Sequence, residues 1–263
     1  MILKALFERI PAVLCQGSWD TDIASIAMCS KEVTNNSLFI CIKGMEQDGH
    51  QYIQEAAERG AAACLVEEAF WKKSASVHGN LKQAEKKTSE YGELKLPEQM
   101  TIVSVQNTRE AAAWAAAAFY RYPSKELKVI GITGTKGKTS TTFMIRDILE
   151  AAGYKTGLLG TIDYEIGEEK KRAERTTPEA IDIQRYLRKM ADTGCRFAVM
   201  EVSSQGLKLH RSDGILFDVG VFTNLGRDHI GPKEHKDMAE YAHYKSLLFQ
   251  KCCFGIGNID DPY

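Results

Sequence analysis

No charge of either sign accumulates in this chain: 34 basic side chains stand against 35 acidic ones, a formal net charge of −1. Without a global field nothing holds nucleic acid or an anionic membrane, so any phosphate must be bound locally. Long hydrophobic runs are missing as well. The longest, such as Phe197–Met200 and Val219–Phe222, are strand-length and broken by glycine or charge, far short of a membrane span. The opening M-I-L-K-A-L-F-E-R-I carries Glu8 and Arg9 where a signal peptide needs an uninterrupted apolar region, so a cytosolic chain is expected. Cysteine pairs are absent too. The seven cysteines are odd in number, and Cys15, Cys29, Cys41, Cys64 and Cys195 are scattered without a C-x-x-C motif. Cys252 and Cys253 read as reduced strand residues. Zinc is disfavoured, because no pair among His229, His235 and His243 has the spacing of H-E-x-x-H.

What is present is a strand that runs into a phosphate loop. Val129 to Ser140, V-I-G-I-T-G-T-K-G-K-T-S, passes from an apolar β-branched stretch through Gly-Lys-Thr into a helical pattern. Gly134 and Gly137 let the backbone turn tightly, so that successive N–H groups face anionic oxygens. Lys138 adds a cation beside the terminal phosphates, and Thr139 a hydroxyl for Mg²⁺. A strict Walker A loop needs its first glycine at position 132, where Ile132 stands; Gly131 is one place early, so the loop starts at Gly134. The competing reading is a strand-to-helix turn that merely tolerates glycine. The strand before the loop and the helix after it favour the phosphate site.

At 263 residues and 44% hydrophobic content, the chain suffices for two globular domains. In the first region Ser37–Ile42, Ala62–Val66 and Thr101–Val105 read as strands, and Gln51–Arg59 as a short helix. Lys72 to Gln99, rich in Lys, Glu, Ser and Gly, reads as an exposed and mobile insertion. An alanine-dense helix from Thr108 to Tyr120, within a linker at 107–127, leads into a second region of alternating strands and helices. Its strands are Val129–Thr133, Gly157–Ile162, Phe197–Val202 and Phe217–Phe222, the last two separated by a short polar turn, and a charged hairpin surrounds Gly167. Helices are expected at Thr139–Ala152, from Thr177-Pro178 with Thr177 as N-cap, and at Asp237–Phe249. The expected fold is α/β, a small N-terminal domain at 1–106 followed by a mostly parallel sheet domain at 128–263. Ligands of such sheets bind at the carboxyl ends of the strands, where Glu201, Ser203, Thr223, Asn224, Asp228 and His229 fall.

Two readings stand for Glu201: a Mg²⁺ ligand, or a strand-end carboxylate in solvent. A lone histidine such as His229 is usually structural. Lys245 lies in an amphipathic helix and reads as a solvated face residue, while Asp260 and Asp261 read as an ordinary acidic turn.

Five ordered motifs nonetheless resemble the Mur ligase family: G-T-K-G-K-T-S at Gly134, T-T-P at Thr176, E-V-S-S-Q-G-L-K-L-H-R at Glu201, T-N-L-G-R-D-H at Thr223, and E-Y-x-x-x-K-x-x-L-F ending at Phe249. The first domain agrees, with C-S-K-E-V at Cys29, L-F-I-C-I-K-G at Leu38 and D-G-H at Asp48. The resemblance implies an ATP- and Mg²⁺-dependent amide ligase that adds the third amino acid to a UDP-N-acetylmuramoyl-dipeptide in peptidoglycan precursor synthesis. By the same resemblance Met28, Ser30, Met45, Glu46 and Gln47 hold the uridine end. Thr176, Thr177, Ser203 and Arg211 grip the muramoyl-dipeptide end. Gly134, Thr135, Lys136, Gly137, Lys138, Thr139 and Ser140 bind ATP, with Asn224 near the nucleotide. Thr139, Glu201, His229 and Lys245 organise Mg²⁺, Lys245 as a carbamate, which reverses its reading as a solvated residue. Lys138, Lys245, Glu201 and His229 form the implied catalytic set. A cytoplasmic monomer is expected.

Four positions depart from the family pattern. Lys136 replaces the usual loop asparagine, Gln205 a histidine, Leu209 a glutamine of some members, and Gly231 an aspartate. These ligases have three domains, and Tyr263 falls inside the expected central one, so the chain is expected to be a fragment that binds nucleotide or UDP-sugar without turning over. Alternative readings are a folylpolyglutamate synthetase-like ligase, a non-catalytic nucleotide-binding protein, and a P-loop kinase.

Overall fold

A computed structural model describes residues 1–44, 47–78, 97–232 and 234–263. Two compact units emerge, Met1–Ala115 and Ala116–Tyr263. The first contains α1 (Leu3–Leu6), β1 (Val13–Gln16), β2 (Ser25–Ala27), β3 (Ser37–Ile40), α2 (Ile53–Glu58), β4 (Ala61–Glu67), α3 (Glu68–His78), β5 (Thr101–Val105) and most of α4 (Thr108–Phe119). Its sheet has the order β1-β5-β4-β3-β2, parallel except for β1 against β5. Leu38, Phe39, Ile40, Leu65 and Ile102 are fully buried, as expected for parallel strands covered on both faces.

The second unit contains β6 (Lys128–Thr133), α5 (Lys138–Ala151), β7 (Thr156–Leu159), β8 (Asp163–Ile166), β9 (Glu169–Arg172), α6 (Ala180–Asp192), β10 (Phe197–Glu201), α7 (Ser204–Lys208), β11 (Phe217–Phe222), α8 (Met238–Gln250) and β12 (Cys252–Ile256). Strand order is β12-β11-β6-β10-β7-β8-β9. The first five strands are parallel, and β8 with β9 forms the charged hairpin around Gly167. On one face Ile183, Leu187 and Met190 of α6 join Met200, Phe217 and Leu248 in a single apolar cluster. Each such side chain contributes about 1.5–3 kcal/mol by leaving water. The carboxyl ends of β6, β7, β10 and β11 all lie at one edge, a consequence of their parallel register.

Several expectations need correction. The helix expected from Thr177 begins at Ala180 with Glu179 as N-cap, because the Thr177 hydroxyl is committed to the Glu201 carbonyl at 3.0 Å. The polar turn between β10 and β11 contains α7, capped by the Ser203 hydroxyl accepting from Gly206 N–H at 3.0 Å. The strand expected to reach Ile162 stops at Leu159, freeing Gly160 and Thr161 for the site below. Lys72 to His78, expected in a mobile insertion, are helical in α3, which the Glu68–Lys72 ion pair at 3.0 Å and the buried Phe70 anchor. The rest of that expected insertion through residue 96 lies outside the described residues. Among the described residues, no helix is long and apolar enough to cross a membrane.

Candidate functional site

The phosphate loop closes against the end of β11. Gly134 has φ +148°, and a Cβ there would lie 1.9 Å from Thr223 Oγ1, so no other residue lets the turn form. Gly131 has a different duty. It lies within β6, where a Cβ would come within 2.8 Å of the Phe217 ring. These two glycines give contrasting expectations. Gly131→Ala overpacks the core and lowers stability by about 1–3 kcal/mol while leaving nucleotide affinity of the folded chain within about twofold. Gly134→Ala adds backbone strain of about 1–3 kcal/mol and distorts the loop, so nucleotide binding is lost with it. Melting curves and calorimetric titration with ATP separate the two; equal affinity losses would contradict the assignment.

Polar side chains of the β11 end fix the loop. Thr223 Oγ1 donates to Lys136 O at 2.7 Å; Asn224 accepts from Lys136 N–H at 3.0 Å and donates back to its carbonyl at 3.1 Å. Asn224 is thus a clamp on the loop backbone. Thr135 Oγ1 lies 3.2 Å from Tyr241 Oη and accepts from Gly226 N–H at 3.0 Å. Gly137, with φ +84°, is the N-cap of α5, whose first-turn N–H groups at Lys138, Thr139 and Ser140 have no intrahelical acceptor and form an anion-binding helix end.

Three lysines surround this loop differently. Lys136 is 79% exposed and pairs with Asp228 at 3.0 Å. Lys138 is partly buried and donates to the carbonyls of Gly134 at 2.8 Å and Thr135 at 3.1 Å. Burial lowers its pKa below the ordinary lysine value, against the opposing pull of Glu201. Lys245 is the unexpected one. Read from periodicity as solvated, it is only 2% exposed and donates to Gly134 O at 2.6 Å, with its Nζ 4.5 Å from the Tyr241 ring centroid. Burial, reinforced by the charge of Lys138, pushes its pKa down to about 7.

Glu201 ends β10 and is 1% exposed, which excludes the solvent reading. Its Oε1 accepts from Thr161 N–H at 2.8 Å; its Oε2 accepts from the hydroxyls of Thr139 and Thr161, each at 3.1 Å. Among the described residues it forms no ion pair. A buried carboxylate bonded only to neutral donors, with the Lys138 cation nearby but not in direct contact, can take a further positive charge. Together with the Thr139 hydroxyl it is an all-oxygen donor pair suited to Mg²⁺, and the fit to that cation is good. Among the described residues, no group of three His, Cys, Asp or Glu is placed to hold a metal ion. His229 is half-exposed, with φ +53°; its Nδ1 lies 2.7 Å from Glu234 Oε1, leaving Nε2 as the nitrogen for a ligand role. Its ring lies 6.0 Å from that of Tyr241, and it makes no hydrogen bond to Glu201 among the described residues.

Beside the carboxylate lies a second network. Thr177 Oγ1 bonds to the Glu201 carbonyl and lies 3.1 Å from Ser203 Oγ. Arg211 donates to Thr177 O at 3.2 Å and to Glu179 at 2.8 Å, while Glu179 also pairs with Arg175. Burial and the like charge of Arg175 push the Arg211 pKa down to about 10, still a cation at neutral pH. Thr176 joins through Thr161, their hydroxyl oxygens 3.0 Å apart. In the first unit, buried Ser30 donates to Glu55 Oε2 at 3.0 Å, Met28 is half-buried and Gln47 exposed. Met45 and Glu46 lie outside the described residues.

Sequence reasoning missed Thr161 and Glu179, and gave no specific role to Thr223 or Tyr241. The signal for Thr161 was Gly160 beside the end of a strand: a Cβ on Gly160 would sit 2.7 Å from Glu201 Oε1.

Comparison with known proteins follows the same division. Residues 132–263 match the Mur ligase middle domain, and residues 22–120 match the domain described as Mur ligase family, catalytic domain. The chain is 42% identical over 269 residues to the UDP-N-acetylmuramoyl-L-alanyl-D-glutamate--2,6-diaminopimelate ligase of Bacillus licheniformis, an alignment that covers 99% of this chain and 49% of that protein. It is 37% identical to the ligase of the same name from Clostridium perfringens, covering 100% and 49%. In fold it is similar to a solved structure of such a 2,6-diaminopimelate ligase, with TM-score 0.72 at 21% identity, over 100% of this chain and 48% of that one. MurF from Acinetobacter baumannii superposes with TM-score 0.58 at 20% identity, over 91% and 44%. The chain spans about half the length of the curated relatives it matches.

Proposed function

Because the chain belongs to the Mur ligase family, we propose that it forms the UDP-sugar-peptide- and ATP-binding part of an ATP-dependent amide ligase that adds a third amino acid to UDP-N-acetylmuramoyl-L-Ala-D-Glu. The terminal carboxylate of the dipeptide attacks the γ-phosphorus of ATP, giving an acyl phosphate and ADP. The incoming amine then attacks the acyl carbon, phosphate leaves, and the nitrogen loses its proton as the amide forms. 2,6-Diaminopimelate, the amine in the relatives' names, is the proposed third residue.

The first step brings two anions together. The first-turn N–H groups of α5 and the Lys138 ammonium offset the charge of the phosphates. Thr176, Thr177, Ser203 and Arg211 hold the carboxylate-bearing end of the peptide, which fixes the attacking oxygen. Thr139, Glu201, His229 and carbamylated Lys245 would hold Mg²⁺, which when bound supplies Lewis-acid neutralisation of phosphate charge. The buried, partly neutralised environment of Lys245 supports carbamylation. A largely neutral amine above pH 7 attacks CO₂, forms the N–C bond and releases one proton, turning a costly buried cation into an anion beside Lys138.

The observation that carries this reading is the buried Glu201 carboxylate, without an ion pair among the described residues, 3.1 Å from the Thr139 hydroxyl of a Gly-Lys-Thr loop. Calorimetric titration of the 263-residue chain tests it. ATP binds more tightly with Mg²⁺ than without, and UDP-N-acetylmuramoyl-L-Ala-D-Glu binds as well. Ser30→Ala weakens the UDP ligand at least about tenfold, the scale of one lost charge-assisted contact network, and leaves ATP unchanged. Equal weak ATP binding with and without Mg²⁺ would favour a non-catalytic nucleotide-binding protein instead. For the whole protein, a stable phosphoester formed without an amine would favour a kinase.

A further inference from the structure

Thr161 stands between the two networks of the site and is part of neither set described for it. Its N–H and its hydroxyl both face Glu201, at 2.8 and 3.1 Å, and its hydroxyl oxygen is also 3.0 Å from Thr176 Oγ1. One hydroxyl has one proton, so it cannot serve both neighbours at once. When the Thr161 proton goes to the carboxylate, Thr176 Oγ1 loses the hydrogen bond that Thr161 otherwise donates to it. A cation held by Glu201 and Thr139 would compete with the Thr161 hydroxyl for the same carboxylate. The Thr161 proton would then go to Thr176 Oγ1, the direction in which this pair is bonded, and would orient the Thr176 proton toward an acceptor on a bound ligand.

We propose that Thr161 is a positioning residue that couples the cation site at Glu201 to the peptide-gripping hydroxyl of Thr176, so that Mg²⁺ and the muramoyl-dipeptide each tighten the binding of the other. The inference rests on the ligase reading above. The backbone supports a role confined to the hydroxyl: Gly160 leaves no room for a side chain against Glu201, so the carboxylate sits over the chain at this point, and the Thr161 N–H bond would survive loss of Oγ1. Reciprocity follows from linkage, because both ligands favour the same orientation of one hydroxyl pair.

The experiment measures dissociation constants of the 263-residue chain for UDP-N-acetylmuramoyl-L-Ala-D-Glu and for UDP-N-acetylmuramic acid, each with and without saturating Mg²⁺. The second ligand has the same diphosphate but no dipeptide, so Mg²⁺ held by the ligand itself cancels between the two. In the parent chain Mg²⁺ tightens the dipeptide ligand about tenfold more than the control ligand, in the usual range of coupling between sites. Thr161→Val removes that difference without changing Mg²⁺-free affinity more than about twofold, and Thr161→Ser restores it. Thr176→Val, which breaks the hydroxyl chain from its other end, also removes the difference. Coupling retained in both valine variants, or equal Mg²⁺ effects on both ligands in the parent, overturns the inference while leaving the ligase reading intact. A parent chain that binds neither UDP ligand refutes the ligase reading and this inference with it.

Discussion

Lys138→Ala is expected to weaken MgATP binding by at least two orders of magnitude, corresponding to about 3 kcal/mol for a partly desolvated charge contact. The Lys138 ammonium donates to two carbonyls of its own loop, Gly134 O and Thr135 O. Burial disfavours its charge more than Glu201 offsets, so a polyphosphate beside it gains more from it than from a solvated lysine. Lys136 provides the comparison. It is 79% exposed and paired with Asp228, so Lys136→Ala is expected to change MgATP affinity only a few-fold. Lys138→Arg is not expected to restore binding, because a planar guanidinium does not fit where a compact ammonium points between two loop carbonyls. Calorimetric titration of the three variants decides the matter. Affinity of Lys138→Ala within about fivefold of the parent would remove the lysine from the proposed phosphate contacts.

The second large effect concerns Lys245 and has a definite pH signature. In CO₂-free buffer the folded chain holds this amine with a pKa of about 7, against an unfolded value near 10.5. Below pH 7 the group is charged in both states, and the full cost of burying the charge falls on the folded one. Between about pH 7 and 10.5 the unfolded state binds the extra proton, so this group's contribution to stability rises with pH, by up to about 1.4 kcal/mol per pH unit. Lys245→Met removes the titration. Its stability advantage over the parent is therefore expected to be largest near pH 6.5 and to shrink steadily toward pH 9.5, as read from paired melting curves. Parallel profiles for the two proteins would falsify the burial argument. Added bicarbonate should stabilise the parent and not the variant, since only the parent has an amine to carbamylate.

Both effects concern groups whose local sequence gives little warning. The strands were legible because their cause is local: Thr101–Val105 and Phe217–Phe222 are β-rich runs, and the structure places β5 and β11 on those same residues. The helices with a clear apolar face were equally legible, as Ile183, Leu187 and Met190 show by being fully buried on α6. Thr177 was misplaced as a helix cap because a threonine before proline is a good local cap, whereas here its hydroxyl finds a stronger commitment on the Glu201 carbonyl. Helix α7 was missed because five residues carry too little periodicity to register. The phosphate loop could be read from its glycines and lysine. The clamp on that loop could not, because Thr223 and Asn224 reach it across 87 and 88 residues of chain.

Residue type and spacing alone determined the α/β class, the phosphate loop beginning at Gly134, and the resemblance to a ligase family, since these depend on backbone preferences and on motifs that are continuous in the chain. Tertiary structure decided which charges are matched. Lys245 meets Gly134 across 111 residues, and Thr161 meets Glu201 across 40. Burial and counter-charge are properties of a surrounding volume, filled by side chains from distant strands. A lysine of ordinary helical spacing thus becomes a near-neutral amine, and a strand-end glutamate a buried carboxylate held by neutral donors.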